Sequence, residues 1–219
     1  MTNAGSISHV RKKFHSLHDL ISTSYHEAGH TVYGLLHGVN VDMVEVFETK
    51  KTKRINGITH YHQFHLHEID DFVLRDNLAK VEVGLCYAGL VAEKRFFKMI
   101  SGIDRFPLFL KEGSSEDMAE ATTIMDKCQL VEAGPKRSKY KKKLIKEVDL
   151  ELAEHWEAVS LVAHALVKKK RIRAIELKEL LVKKTATPEF WKKKFKISEE
   201  LHKNCEGLDE KKIRFILSI

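Results

Sequence analysis

From Leu17 to His37 apolar side chains recur at the spacing of one helix face (Leu17, Leu20, Ile21, Tyr25, Ala28, Val32, Leu35, Leu36), and Gly38 supplies a stop. Inside that stretch stands Tyr25-His26-Glu27-Ala28-Gly29-His30, so a helix with apolar flanks carries two imidazoles and a carboxylate. At positions i and i+4, His26 and His30 lie one turn apart on the same face and can reach one metal ion. Zinc lowers the pKa of a bound water toward ~7, and a carboxylate placed like that of Glu27 can take the proton. Gly29 sits mid-helix despite costing about 0.5–1 kcal/mol relative to Ala, which predicts a close approach of another segment there.

The remainder of the 219 residues sets bounds on the rest of the fold. With 43% hydrophobic and 32% charged residues the chain can bury a real core, which excludes wholesale disorder. Three scattered cysteines (Cys86, Cys128, Cys205) form no disulfide framework and point to a reducing compartment. The apolar stretch Gly84–Ala92 is far shorter than the ~18 residues that span a bilayer, and the N-terminus lacks the apolar region of a secretory signal. A cytoplasmic protein with no membrane span is the expectation. The net charge of +7 is uneven: residues 1–135 hold 15 Lys+Arg against 18 Asp+Glu, and residues 136–219 hold 23 against 13. Ten of the 13 histidines fall in the first part.

The pattern predicts a mainly α fold with a small antiparallel β-hairpin or sheet, of the α+β class. Residues 1–16 read as a flexible N-terminal segment and 17–185 as the principal domain, with chemistry in 17–134 and basic helices in 136–185. Residues 186–219 form a C-terminal extension. Expected elements are the Leu17–His37 helix, a strand over Val41–Phe47, a basic turn ending at Asn56–Gly57 and a returning strand over Ile58–Leu66. Helices then follow over Asp70–Phe97, from Ser114 to about Val131, over Tyr140–Lys170 as one piece, and over Ala174–Lys184. Thr187–Pro188 starts another helix, and Gly102–Gly113 is a loop.

A catalytic zinc site needs a third protein ligand and an open position. Glu93 and Asp117 are candidates far down the chain. Asp117 also fits a capping box with Ser114 as N-cap, and from the residues alone the cap and the ligand stand level.

Three runs in order, YHEAGHTVYGLL, CYAGLVAEKRFF and GSSEDMAEATTIMDK, resemble the peptidase domain of the FtsH-type ATP-dependent zinc metalloproteases. The later LELAEHWEAVSLVAHALVKKKRIRAIELKELL resembles that domain's C-terminal helices, with the Trp156-x-x-Val159 spacing. The resemblance covers Leu17 to Leu181. It implies an FtsH-peptidase-like helical domain and one Zn2+ per chain, held by His26, His30 and Asp117, with Glu27 as general base. It makes Glu93 a carboxylate beside the ligands or an alternative third ligand. It also implies a polypeptide substrate that pairs in extended form with the edge of the hairpin, and a ring-like homo-oligomer.

The chain departs from that family in having no GxxxxGK[ST] motif and no spanning segment before the zinc helix. The expected activity is therefore zinc-dependent endoproteolysis of flexible or unfolded polypeptides without an ATPase of its own, or with a separate ATPase feeding it. The alternative is a non-catalytic zinc-containing module that binds nucleic acid or an acidic protein through KRSKYKKKLIK, KKKRIR and WKKKFK. No zinc finger or RNA-binding signature accompanies these basic runs, and the simpler reading is solvated helix faces. His60, His62, His65 and His67 form a second histidine group in which a further metal site is conceivable. Solvated or ring-stacked histidines are the simpler account. Cys86 and Cys128 read as core residues and Cys205 as surface.

Overall fold

The computed structural model describes residues 4–52, 54–102, 115–206 and 209–217. It is mainly helical with one small antiparallel sheet, the α+β class that the periodicity predicts. Helix α1 (Ala4–Leu36) begins upstream of the expected Leu17, and ends where Gly38 takes φ +78°, a left-handed conformation that glycine adopts without a Cβ clash.

Strands β1 (Val41–Glu48) and β2 (Ile55–Tyr61) pair antiparallel, with Val44 opposite Thr59 and Val46 opposite Gly57. A register shift between Val41 and Met43 explains why Val41 and Val44, an odd spacing, are both buried. Asn56–Gly57, expected as the turn, lies inside β2; the turn closes earlier, where the Thr49 N–H donates to the Arg54 carbonyl at 2.8 Å. The returning strand ends at Tyr61, and Leu66–Glu68 is a short 3-10 turn. A third strand, β3 (Arg171–Arg173), pairs with the other side of β1 and buries Ile172 opposite Val44. Among the described residues the sheet order is β2-β1-β3, so β2 is an edge strand.

Helix α2 (Phe72–Ser101) starts at Asp71, whose side chain accepts from the Val73 and Leu74 N–H groups and pairs with Arg214. It stops at Gly102, with φ +66°. Helix α3 spans Ser115–Lys127; the Gly102–Gly113 loop beyond residue 102 and the Ser114 cap lie outside the described residues. The expected single helix Tyr140–Lys170 is two: α4 (Pro135–Glu154) and α5 (Trp156–Lys169), broken at His155. The His155 ring stacks on Phe190 at 5.0 Å, so the break coincides with a docking point for the C-terminal segment. The basic run KRSKYKKK belongs to α4, with Pro135 in its first turn.

Helices α6 (Ala174–Lys184), α7 (Pro188–Glu206) and α8 (Glu210–Leu217) complete the chain. Trp191, Leu201 and Ile213 join the same apolar cluster as Tyr25 and Val32. Cys86 and Cys128 are buried as expected, and so is Cys205, which the sequence placed at the surface. Its place on α7, between the C-terminal segment and the core, becomes visible only once α7 is folded back. Among the described residues, no helix is long and apolar enough to cross a membrane.

The contact that positions everything else is α1 against α2. A Cβ built on Gly29 would stand 2.4 Å from the Ala88 carbonyl oxygen and 2.6 Å from the Ala92 Cβ. This is the close approach that a mid-helix glycine predicts. Gly29→Ala in an ordinary helix would stabilise by up to about 1 kcal/mol; here it is expected to destabilise by about 1–3 kcal/mol through overpacking, read from urea unfolding.

Candidate metal centre

His26 and His30 project from the buried middle of α1 toward the first turn of α3, which carries Asp117. The three ligand atoms form a small triangle. His26 Nε2 and His30 Nε2 are 3.0 Å apart, and Asp117 Oδ2 lies 3.0 Å from the first and 3.5 Å from the second. A tetrahedral ion with bonds of about 2.0–2.1 Å requires donor separations of about 3.3 Å, so the triangle has the size zinc needs. Among the described residues, this is the one group of His, Cys, Asp and Glu whose ligand atoms all lie within 4.8 Å of one another.

The surroundings orient these donors. The His30 Nδ1–H donates to the Leu85 carbonyl at 2.8 Å, which leaves the Nε2 lone pair facing the triangle. His26 Nδ1 has Glu93 Oε2 at 3.6 Å, and Glu93 in turn accepts from the Ser22 hydroxyl at 2.5 Å. Glu93 thus sits behind His26, on the side away from the triangle, and Asp117 is the carboxylate that meets both Nε2 atoms. Asp117 stands in the first turn of α3, an end of the helix at which the dipole favours negative charge. Gly89 of α2 lies against both rings, because a Cβ there would stand 2.4 Å from His30 Nε2 and 2.5 Å from His26 Nε2.

Glu27 is equally buried, at 5% exposure, yet it borders a cleft of about 740 Å³ shared with His26, His30 and Asp117. The opposite wall of that cleft is β2, from Ile55 to Thr59. The Thr59 hydroxyl lies 2.8 Å from Glu27 Oε2. Three carboxylates around two imidazoles in a buried site make a pocket that favours a cation.

Without a metal ion a proton serves as that cation. Burial works against a charged His26, but the hydrogen bonds it donates to the Asp117 and Glu93 carboxylates and the charges of Glu27 and Asp117 outweigh it, and its pKa is raised to about 10. For Asp117 burial also opposes ionisation, and the two imidazoles overcome it and hold its carboxyl below the usual range.

The second histidine group does not assemble in the same way. His60 faces Glu45 at 3.4 Å, His62 pairs with Asp42 at 2.8 Å and lies against the tilted His202 ring at 3.8 Å, and His65 meets His67 edge-on. Sequence reasoning missed Gly57, Thr59, Gly89 and Ser22 as neighbours of the site. Gly57 stands out in the sequence, but Asn-Gly is also the strongest hairpin-turn signal and points to a turn there. No family model matches the chain, and no curated protein does.

Two outcomes follow for the purified protein. Gly89→Ala should abolish stoichiometric zinc binding, measured by metal analysis after dialysis, because its methyl group enters the ligand triangle. In chelator the stability that His26 contributes is fully present below its ordinary pKa near 6.5 and is lost as pH rises through about 10. The contribution of Asp117 runs oppositely, present above the ordinary carboxylate range and lost in acid. Melting temperature in EDTA should therefore fall between pH 7 and 10, and His26→Gln should flatten that limb.

Proposed function

We propose that the chain is a zinc-dependent metalloendopeptidase that hydrolyses peptide bonds in flexible or unfolded polypeptides. The observation that carries this reading is the triangle of His26, His30 and Asp117 beside a cleft-facing Glu27. Structural zinc sites are closed by four protein ligands, whereas three ligands and a neighbouring carboxylate are the make-up of a hydrolytic site. The order of the three motifs, with their resemblance to FtsH-type peptidase domains, supports the same assignment.

A bound zinc ion would supply Lewis acidity, polarising a peptide carbonyl and acidifying water. The chain's own groups do the rest. His30, fixed by the Leu85 carbonyl, and His26, backed by Glu93, present their Nε2 atoms in one direction. Glu27 accepts the proton of the attacking water on its carboxylate and returns it to the leaving amine. The edge strand β2 lies along the cleft, and an extended segment pairing with it would lay its backbone past Glu27. A cleft of about 740 Å³ bordered by an edge strand supports a flexible, extended segment as the substrate. A cytoplasmic setting and assembly into rings belong to the same proposal.

The test is a pair of measurements on one preparation. Metal analysis should give about one zinc per chain, and none for His26→Ala. Cleavage of casein should disappear in Glu27→Gln, by at least about a hundredfold, while zinc remains bound. Wild-type protein that holds zinc and cleaves no unfolded substrate would overturn the peptidase and favour the binding module acting through its basic C-terminal half.

A further inference from the structure

The cleft contains a contact that zinc chemistry does not require. Gly57 and Thr59 are two residues apart on β2, so both face α1, while Ile58 between them is 43% exposed on the other side. Both meet Glu27. The Thr59 hydroxyl lies 2.8 Å from Oε2 and 3.3 Å from the Glu27 main-chain oxygen, and it donates to the nearer acceptor. A Cβ on Gly57 would stand 2.4 Å from Glu27 Cγ and 2.5 Å from Oε1. The carboxylate therefore occupies the space that any other residue at position 57 would fill.

We propose that the edge strand β2 positions the Glu27 carboxylate, Thr59 by its hydrogen bond and Gly57 by having no side chain. The strand along which a substrate would pair is then the strand that holds the base. This deepens the peptidase reading and rests on it. Thr59 is a positioning residue: it touches neither the ligand triangle nor, by its inward direction, an extended chain on the strand edge. A carboxylate side chain has two rotatable bonds between its helix and its oxygens beyond χ1, and in a cleft open to water it would otherwise sample several rotamers. One hydrogen bond from a buried hydroxyl, with a backbone wall at Gly57, selects one of them. Because the hydroxyl donates to a charged acceptor, the bond is of the stronger kind. Pairing between a substrate and β2 would steady the strand, and through it the base.

The experiment compares Thr59→Val, Thr59→Ser and Gly57→Ala in the full-length zinc-loaded protein. Thr59→Val should keep about one zinc per chain and a KM within about twofold, while kcat falls by roughly tenfold to a hundredfold, the scale of a misplaced catalytic group. Thr59→Ser should restore kcat to within about threefold, since it returns the hydroxyl. Gly57→Ala should lower kcat with zinc retained. Wild-type kcat in Thr59→Val, or a Ser variant no better than Val, would overturn the proposal.

A second readout does not depend on activity. Thr59→Val should lower the melting temperature by about 3–10 °C alone and by much less in a Glu27→Ala background, the signature of two groups that interact directly. Equal losses in both backgrounds would remove the contact. A wild-type protein that cleaves nothing would remove the peptidase reading and the base role with it. The contact alone would then stand or fall on the melting-temperature cycle.

Discussion

Helices α1 and α2 come closest at Gly29, where α1 presents bare backbone to α2, and the site follows from that contact. Gly29 seats the Ala88 carbonyl and the Ala92 methyl against the α1 backbone, and Gly89 leaves room for the two imidazoles. Any larger residue would push the helices apart, and the donor triangle would open. The same closeness places the Leu85 carbonyl on His30 Nδ1 and Glu93 behind His26. Tyr25 lies on the neighbouring face of α1, stacked on Phe96 of α2 at 4.0 Å and near Trp156 of α5 at 5.5 Å. That aromatic layer fixes the rotation of α1 about its axis, and so the direction in which His26 and His30 point.

The electrostatics pull in the same sense. Two neutral imidazoles beside three carboxylates leave an excess of negative charge in a largely buried site. A raised His26 and a lowered Asp117 are the protein's response when only protons are at hand. A divalent cation answers the same demand better, because it satisfies all three donors at once. Glu27 stays apart from this arrangement, tied to the sheet through Thr59 and directed into the cleft.

How much of this could be read from the sequence depended on distance along the chain. His26 and His30 were legible because a metal pair at i and i+4 needs only a helix. Asp117 lies 91 residues beyond His26, where its carboxylate had an equally good local use as a helix cap, and motif order was needed to single it out. Gly57 and Thr59 face Glu27 through the pairing of β1 with β2 and the seating of that sheet on α1. Local pattern reports neither, and Asn-Gly by itself signals a turn. The missed strand β3 has three residues, too few for alternation to show, and the break at His155 carries no glycine or proline. Cys205 shows the same limit, since its burial depends on α7 folding back onto the core.

We propose that His26, His30 and Asp117 bind one divalent ion while Glu27 does not. Diffraction from zinc-loaded crystals at the zinc absorption edge tests it most directly. One anomalous peak is expected about 2.0–2.1 Å from His26 Nε2, His30 Nε2 and an Asp117 oxygen, with Glu27 outside bonding distance. A peak among His60, His62 and His202, or one ligated by Glu93 in place of Asp117, would contradict it.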